Sequence, residues 1–171
     1  YAENLVLASA DGGAALLIYG DCTARLKVAD GQEVVLDEQT HYPFSEDIKV
    51  SVSGLGKRQT ATFPLYLRIP TWTEGAHVTV NGQTIHHKPT AGLPRISRQW
   101  QNGDEVCLHF PMRLTKRVWP LNKNSVSVNF GPLTMSLKIK ERYEEKDSRE
   151  TAIGDSHWQA SADPAKWPTY E

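Results

Sequence analysis

The sequence predicts an all-β fold, an antiparallel β-sandwich of jelly-roll-like type. Three observations predict it. Apolar residues recur at every second position along most of the chain, the alternating stretches are short, and each is bounded by Gly, Pro, Asn or Asp. A strand turns successive side chains to opposite faces, so period 2 marks a strand with one buried face.

The elements follow in order. Residues 1–10 fit either the end of a helix or a first strand, and periodicity does not decide between them. Asp30-Gly31 is a hairpin signal, but a plain two-residue loop there would set Val28 against Glu33. A bulge or a longer loop is therefore expected. Ile48, Val50 and Val52 alternate with Lys49, Ser51 and Ser53. Phe63, Leu65, Leu67 and Ile69 form the next alternating run, and Pro64 within it suggests an edge position or a bulge, because proline donates no ladder hydrogen bond. In residues 77–85, Asn81-Gly82 supplies the two positive-φ residues of a type I′ hairpin. That turn pairs Val80 with Gln83, Thr79 with Thr84 and Val78 with Ile85. Asn102-Gly103 repeats the signal ahead of Val106, Leu108 and Phe110. Val126, Val128 and Phe130 alternate next, and Met135, Leu137 and Ile139 follow the Gly131-Pro132 turn. Residues 141–150 carry eight charges of mixed sign, the pattern of a solvated loop or short helix, and 154–171 has no clear period.

Composition narrows the function. The 171 residues suggest a single domain, and an apolar fraction of 39% is enough for a full core. Nineteen basic and twenty acidic residues leave a net charge of −1, without the broad positive field that nucleic-acid binders use. The longest apolar run, Ala14 to Tyr19, is six residues, against the ~20 needed to span a bilayer as a helix. Neither nucleic acid nor membrane is an expected partner. The chain opens at Tyr1 without a signal-peptide pattern, and the expectation is a segment cut or processed from something longer.

Catalytic and metal motifs are sparse. There is no Gly-x-Ser-x-Gly, Gly-x-Gly-x-x-Gly or P-loop pattern. His86 and His87 are neighbours, which on a strand point to opposite faces, and spacing suggests no third ligand. Cys22 and Cys107 form no CxxC pair and read as two separate thiols. Asp37-Glu38 and Asp104-Glu105 are acidic pairs of the type that glycosidases oppose across a bond, but beside turns such residues more simply cap the backbone. Trp72, Trp100 and Trp119 lie at strand ends, where tryptophan either closes a sandwich or offers a stacking platform to a sugar. With Trp158 and Trp167 of the tail, they are the candidate residues for sugar or interdomain contact.

Several phrases form an ordered series: Leu67-Arg68-Ile69-Pro70-Thr71-Trp72, Val78-Thr79-Val80-Asn81-Gly82, Ile96-Ser97-Arg98-Gln99-Trp100, Asn102-Gly103-Asp104, Leu108-His109-Phe110-Pro111-Met112 and Asn129-Phe130-Gly131-Pro132-Leu133. This series resembles the β-L-arabinofuranosidase-type glycoside hydrolases, family 127 and its relatives, formerly a domain of unknown function. Ala10-Asp11-Gly12-Gly13-Ala14-Ala15-Leu16, Tyr42-Pro43-Phe44 and Lys166-Trp167-Pro168-Thr169-Tyr170-Glu171 fit the same family.

The resemblance implies an (α/α)6 catalytic barrel outside this chain, followed by β-sandwich regions. It also implies a cysteine nucleophile on zinc and an acid/base Glu within that barrel. Cys22 and Cys107 match neither the spacing nor the neighbours of the family's cysteine motif, so the chain is expected to be inactive alone and to hold no cofactor. The implied division is a remnant of the barrel or linker at 1–12, the sandwich at 13–140, and a charged loop and irregular tail at 141–171. Three roles follow: structural partner of the parent's own barrel, carbohydrate-binding module, or a sandwich for protein–protein contact such as a homodimer. A sugar platform predicts coplanar exposed aromatics, whereas an interface predicts an exposed apolar patch, expected near Trp119-Pro120 and the 154–171 tail.

Overall fold

The computed structural model describes residues 2–85 and 92–140. Among the described residues a short 3-10 turn, Ala2–Asn4, leads into thirteen strands in three sheets. The first sheet has the order β1 (Val6–Ala8), β2 (Ala14–Leu16), β6 (Thr60–Leu67), β9 (Arg95–Gln101). The second has the order β3 (Cys22–Val28), β4 (Gln32–Thr40), β5 (Asp47–Ser53), β10 (Glu105–His109), β7 (His77–Val80), β8 (Gln83–Thr84). A third, small sheet joins β11 (Leu114–Trp119), β12 (Ser125–Phe130) and β13 (Leu133–Met135). Among the described residues no helix is long and apolar enough to cross a membrane.

The first two sheets pack face to face as a sandwich, as the alternation predicts. Ile48, Val50 and Val52 are buried, and so are Val106, Leu108 and Phe110. From the facing sheet Leu16, Phe63, Leu65, Leu67 and Trp100 enter the same core. Among the described strands pairing is antiparallel with one exception: β2 runs parallel to β6, with Ala14 opposite Leu65 and Leu16 opposite Leu67. The long chain excursion between these strands builds half of the second sheet, and such a crossover is what a parallel pair requires.

Turn chemistry sets the registers. Asn81 and Gly82 both have positive φ, and Val80 faces Gln83 while Thr79 faces Thr84. The Ile85 N–H donates to the Val78 carbonyl, completing the predicted hairpin. At Asp30-Gly31 the loop is one residue longer than the minimal turn: Ala29 joins it at φ 46°, and Val28 pairs with Gln32. That shift keeps Val28 and Val34 on the buried face. Gly131, at φ 55°, is followed by proline, a combination that closes the two-residue turn between Phe130 and Leu133.

One open alternative is settled and three expectations change. Residues 6–8 pair with β2, so the N-terminal segment contains a strand. Asn102-Gly103 does not close a hairpin but carries the chain from β9 in one sheet to β10 in the other. Pro64 lies in an interior strand; the β2 ladder begins one residue on, at Leu65, because β2 is only three residues long. The alternation of Met135, Leu137 and Ile139 produces a strand only to Met135, where the ladder with β12 stops at the Val128–Met135 pair. The chain divides into two compact units, Tyr1–Met135 and Ser136–Glu171. Residues 136–140, the described part of the second, form no strand.

Candidate functional site

The predicted tryptophans take different positions. Trp100 is 0% exposed, paired across β6 with Ala61, and its indole N–H donates to the Phe63 carbonyl at 3.0 Å. It has no surface to present to a sugar or a neighbouring domain, which corrects its candidacy. Burial follows from the register, which turns Trp100 to the inner face beside Phe63, with ring centroids 5.8 Å apart. Trp72 is half-buried and meets Phe110 edge-on at 6.2 Å, where Tyr19 and Tyr42 also pack on Phe110 and close one end of the sandwich. The cleft beside Trp72, lined by Glu74, Pro111, Arg113 and Thr115, holds only ≈ 100 Å³, against roughly 300–1,000 Å³ for small-molecule sites. Trp119 is exposed on β11, but the Arg117 guanidinium lies 3.8 Å from its ring centroid and covers a face that a sugar would need. Trp158, Trp167 and the His86-His87 pair lie outside the described residues.

The acidic pairs also separate. Asp104 is buried and accepts hydrogen bonds from the Gln101 backbone N–H (3.0 Å) and the Asn81 side-chain amide (2.8 Å). It ties the inter-sheet turn to the Asn81 hairpin, a structural role for a turn carboxylate. Asp37 and Glu38 lie within strand β4, not beside a turn, and alternation sends them to opposite faces. Glu38 points inward and is 2% exposed. Its Oε1 accepts the Gly20 N–H at 2.8 Å, while Oε2 has no partner among the described residues. Burial pushes its pKa up to about 7, the Gly20 hydrogen bond opposes the rise and the nearby Asp21 charge adds to it.

Burial also raises the Cys22 thiol, and Glu38, Asp37 and Asp21 push it further in the same direction. A nucleophilic or metal-bound cysteine needs the opposite environment. Cys107 is exposed on the outer face and both thiols are free. Among the described residues no three His, Cys, Asp or Glu side chains are arranged to hold a metal ion.

One cluster escaped the sequence reading. His109 Nδ1 lies 2.6 Å from Asp47 Oδ1 and its Nε2 lies 3.6 Å from Glu46 Oε2, while the His77 ring stacks at 4.8 Å. Glu46 in turn accepts the Met112 backbone N–H at 2.6 Å. The β10 register, with His109 beside Asp47 on one side and His77 on the other, assembles the group. Outward alternation of both histidines was legible, but the cross-strand register was not. A larger groove, ≈ 810 Å³, runs over the same sheet face between Asp37, Gln39, Asp47 and Lys49, and no Trp, Tyr or Phe lines it.

The small sheet presents the broadest exposed apolar surface among the described residues. Cross-strand partners share a face, and Leu114 pairs with Phe130, Lys116 with Val128, Val118 with Val126, and Val128 with Met135. One face therefore carries Leu114, Val118, Val126, Val128, Phe130 and Met135, with Lys116 as its one charge. Leu114 is 71% and Val126 55% exposed, and Val118, Val128 and Met135 all exceed 40%. Trp119 is on the opposite, polar face, its indole N–H donating to Ser127 Oγ at 3.2 Å. The apolar patch is thus on the sheet that holds Trp119, but on its other side.

A family model described as the middle domain of β-L-arabinofuranosidase, GH127, matches residues 14–112. The chain belongs to this family. The GH127 match spans the strands from β2 to β10 and stops just before β11. Among solved structures, a GH127 β-L-arabinofuranosidase from Geobacillus stearothermophilus T6 is 30% identical with a TM-score of 0.69, covering 77% of this chain and 21% of that one. A protein described as a glycoside hydrolase is 31% identical with a TM-score of 0.65, covering 72% of this chain and 21% of its own. A second GH127 β-arabinofuranosidase is 26% identical with a TM-score of 0.64, covering 74% and 22%. This chain therefore spans about a fifth of the length of these structures. The search of curated protein sequences returns no match.

Proposed function

We propose that this GH127 middle domain is a non-catalytic β-sandwich that packs against and supports the (α/α)6 catalytic barrel of a longer glycoside hydrolase. On this reading the parent acts on arabinose-containing or related plant-type glycans, and its zinc and nucleophile belong to the barrel. The observation that carries the proposal is the coverage: two GH127 enzymes share this fold over about a fifth of their length. The chemistry of the described residues is in keeping with it. Asp104 is occupied in a turn, Glu38 faces the core, and Cys22 is electronically unsuited to nucleophilic work.

A carbohydrate-binding module is the competing role. Against it, Trp100 is internal, Trp72 stands over a cleft too small for a sugar, and Trp119 is capped by Arg117. The test is hydrolysis of an aryl β-L-arabinofuranoside by the full-length parent and by the 171-residue chain. The parent is expected to turn the substrate over and the chain to give no rate above buffer. Turnover by the chain would overturn the proposal.

A further inference from the structure

We propose that the apolar face of β11–β13 is the surface on which this chain docks against the remainder of its parent enzyme. The inference rests on the functional reading above and assigns it a surface. Leu114, Val118, Val126, Val128 and Met135 are exposed on one side of a three-stranded sheet, and no described residue forms a second layer over them. A sheet with one apolar face is stable when that face is buried against another layer.

Two observations identify the occupant. The first is the extent of the likeness. The Geobacillus enzyme matches 77% of the chain, more than residues 1–112 contain, so the similarity runs past the family model into β11–β13. The likeness beyond residue 112 is thus to enzymes about five times as long as the region they have in common with this chain.

The second is charge. The face carries one cation and no carboxylate; Arg117 lies over Trp119 on the opposite side and Arg113 is paired with Glu74. Lys116 sits within the apolar face itself, beside Val128. A second copy would bring another lysine and no carboxylate to this face, so Lys116 would find no counter-charge there. The exposed apolar face is also on the order of a few hundred Å², below the roughly 800 Å² per partner of a stable dimer. The surface therefore suits an apolar partner that offers a carboxylate to Lys116 and is held nearby by the same polypeptide, where a modest patch suffices.

The experiment places a thiol in the face as Val126→Cys, and on the opposite side as Ser125→Cys. Each variant is made in the 171-residue chain and in the full-length parent. Iodoacetamide labelling is followed site by site by peptide mass spectrometry, which separates the new thiols from Cys22 and Cys107. The proposal predicts that Cys at 126 labels at least tenfold more slowly in the parent than in the chain, while Cys at 125 changes less. Equal rates at 126 in the two contexts would overturn it. So would protection in the isolated chain that grows with its concentration, the mark of a second copy. Amide exchange of β12 in the unsubstituted proteins gives the same comparison without a substitution: slower exchange in the parent supports the proposal, and equal exchange refutes it. Failure of the functional reading shows separately, as a full-length parent without glycosidase activity.

Discussion

The wild-type chain should lose stability on going from acid to neutral pH, and replacing Glu38 by glutamine should abolish that loss. The carboxyl is 2% exposed, receives one hydrogen bond, from Gly20, and has a pKa of about 7 against an ordinary 4.5. Below pH 4.5 both folded and unfolded states hold the proton, and the group contributes no pH dependence. Between 4.5 and 7 the unfolded chain releases the proton while the folded one retains it, so stability falls as pH rises. Above 7 both states are ionised and the penalty is complete. The difference of roughly 2.5 pKa units corresponds to about 3 kcal/mol as an upper figure. For a chain of this size that amounts to a midpoint shift of about 6–12 °C. Glutamine keeps the oxygen that accepts from Gly20 and carries no charge. The two proteins should melt together near pH 4.5, and the variant should melt higher by pH 8. Differential scanning calorimetry of both across pH 4.5–8 is the assay, and histidine titration common to the pair cancels in the difference. Parallel melting curves at every pH would refute the assignment of a buried, neutral Glu38.

Two substitutions probe the packing. Trp100→Ala removes a fully buried indole and leaves the Phe63 carbonyl without its donor, so it should cost about 3–5 kcal/mol in urea unfolding; a loss under about 1 kcal/mol would contradict its place in the core. Gly13→Ala would put a methyl carbon 2.2 Å from the Pro64 carbonyl oxygen, and it should destabilise by about 1–3 kcal/mol or more, whereas Gly20→Ala, with open space around it, should stay within about 1 kcal/mol of wild type.

The sandwich was legible in the sequence because burial there is one-sided. Ile48, Val50 and Val52 could alternate only as a strand with one face inward, and Asn81-Gly82 left a single hairpin register that kept Val78 and Val80 buried. Long-range pairing was not legible. The parallel β2–β6 ladder joins residues 51 positions apart, and nothing in Ala14-Ala15-Leu16 marks its partner. Asn102-Gly103 carries the same local signal as a hairpin turn, yet whether such a turn stays in one sheet or crosses to the other depends on what packs beyond it. The surroundings of the candidate tryptophans were not legible for a related reason. Tryptophan at a strand end is compatible with core or surface, and only the register puts Trp100 inside while Arg117 caps Trp119. The valines of β12 read as core residues like any others, and their exposure emerges only once the layers are assembled.

The most direct test of the central claim, a structural companion and not a sugar reader, is calorimetric titration of the folded 171-residue chain with arabinan, arabinoxylan and pectin-derived oligosaccharides. The account predicts a flat titration with every sugar. Saturable binding at a millimolar dissociation constant or tighter, about −4 kcal/mol or better, would contradict it and make the domain a carbohydrate-binding module.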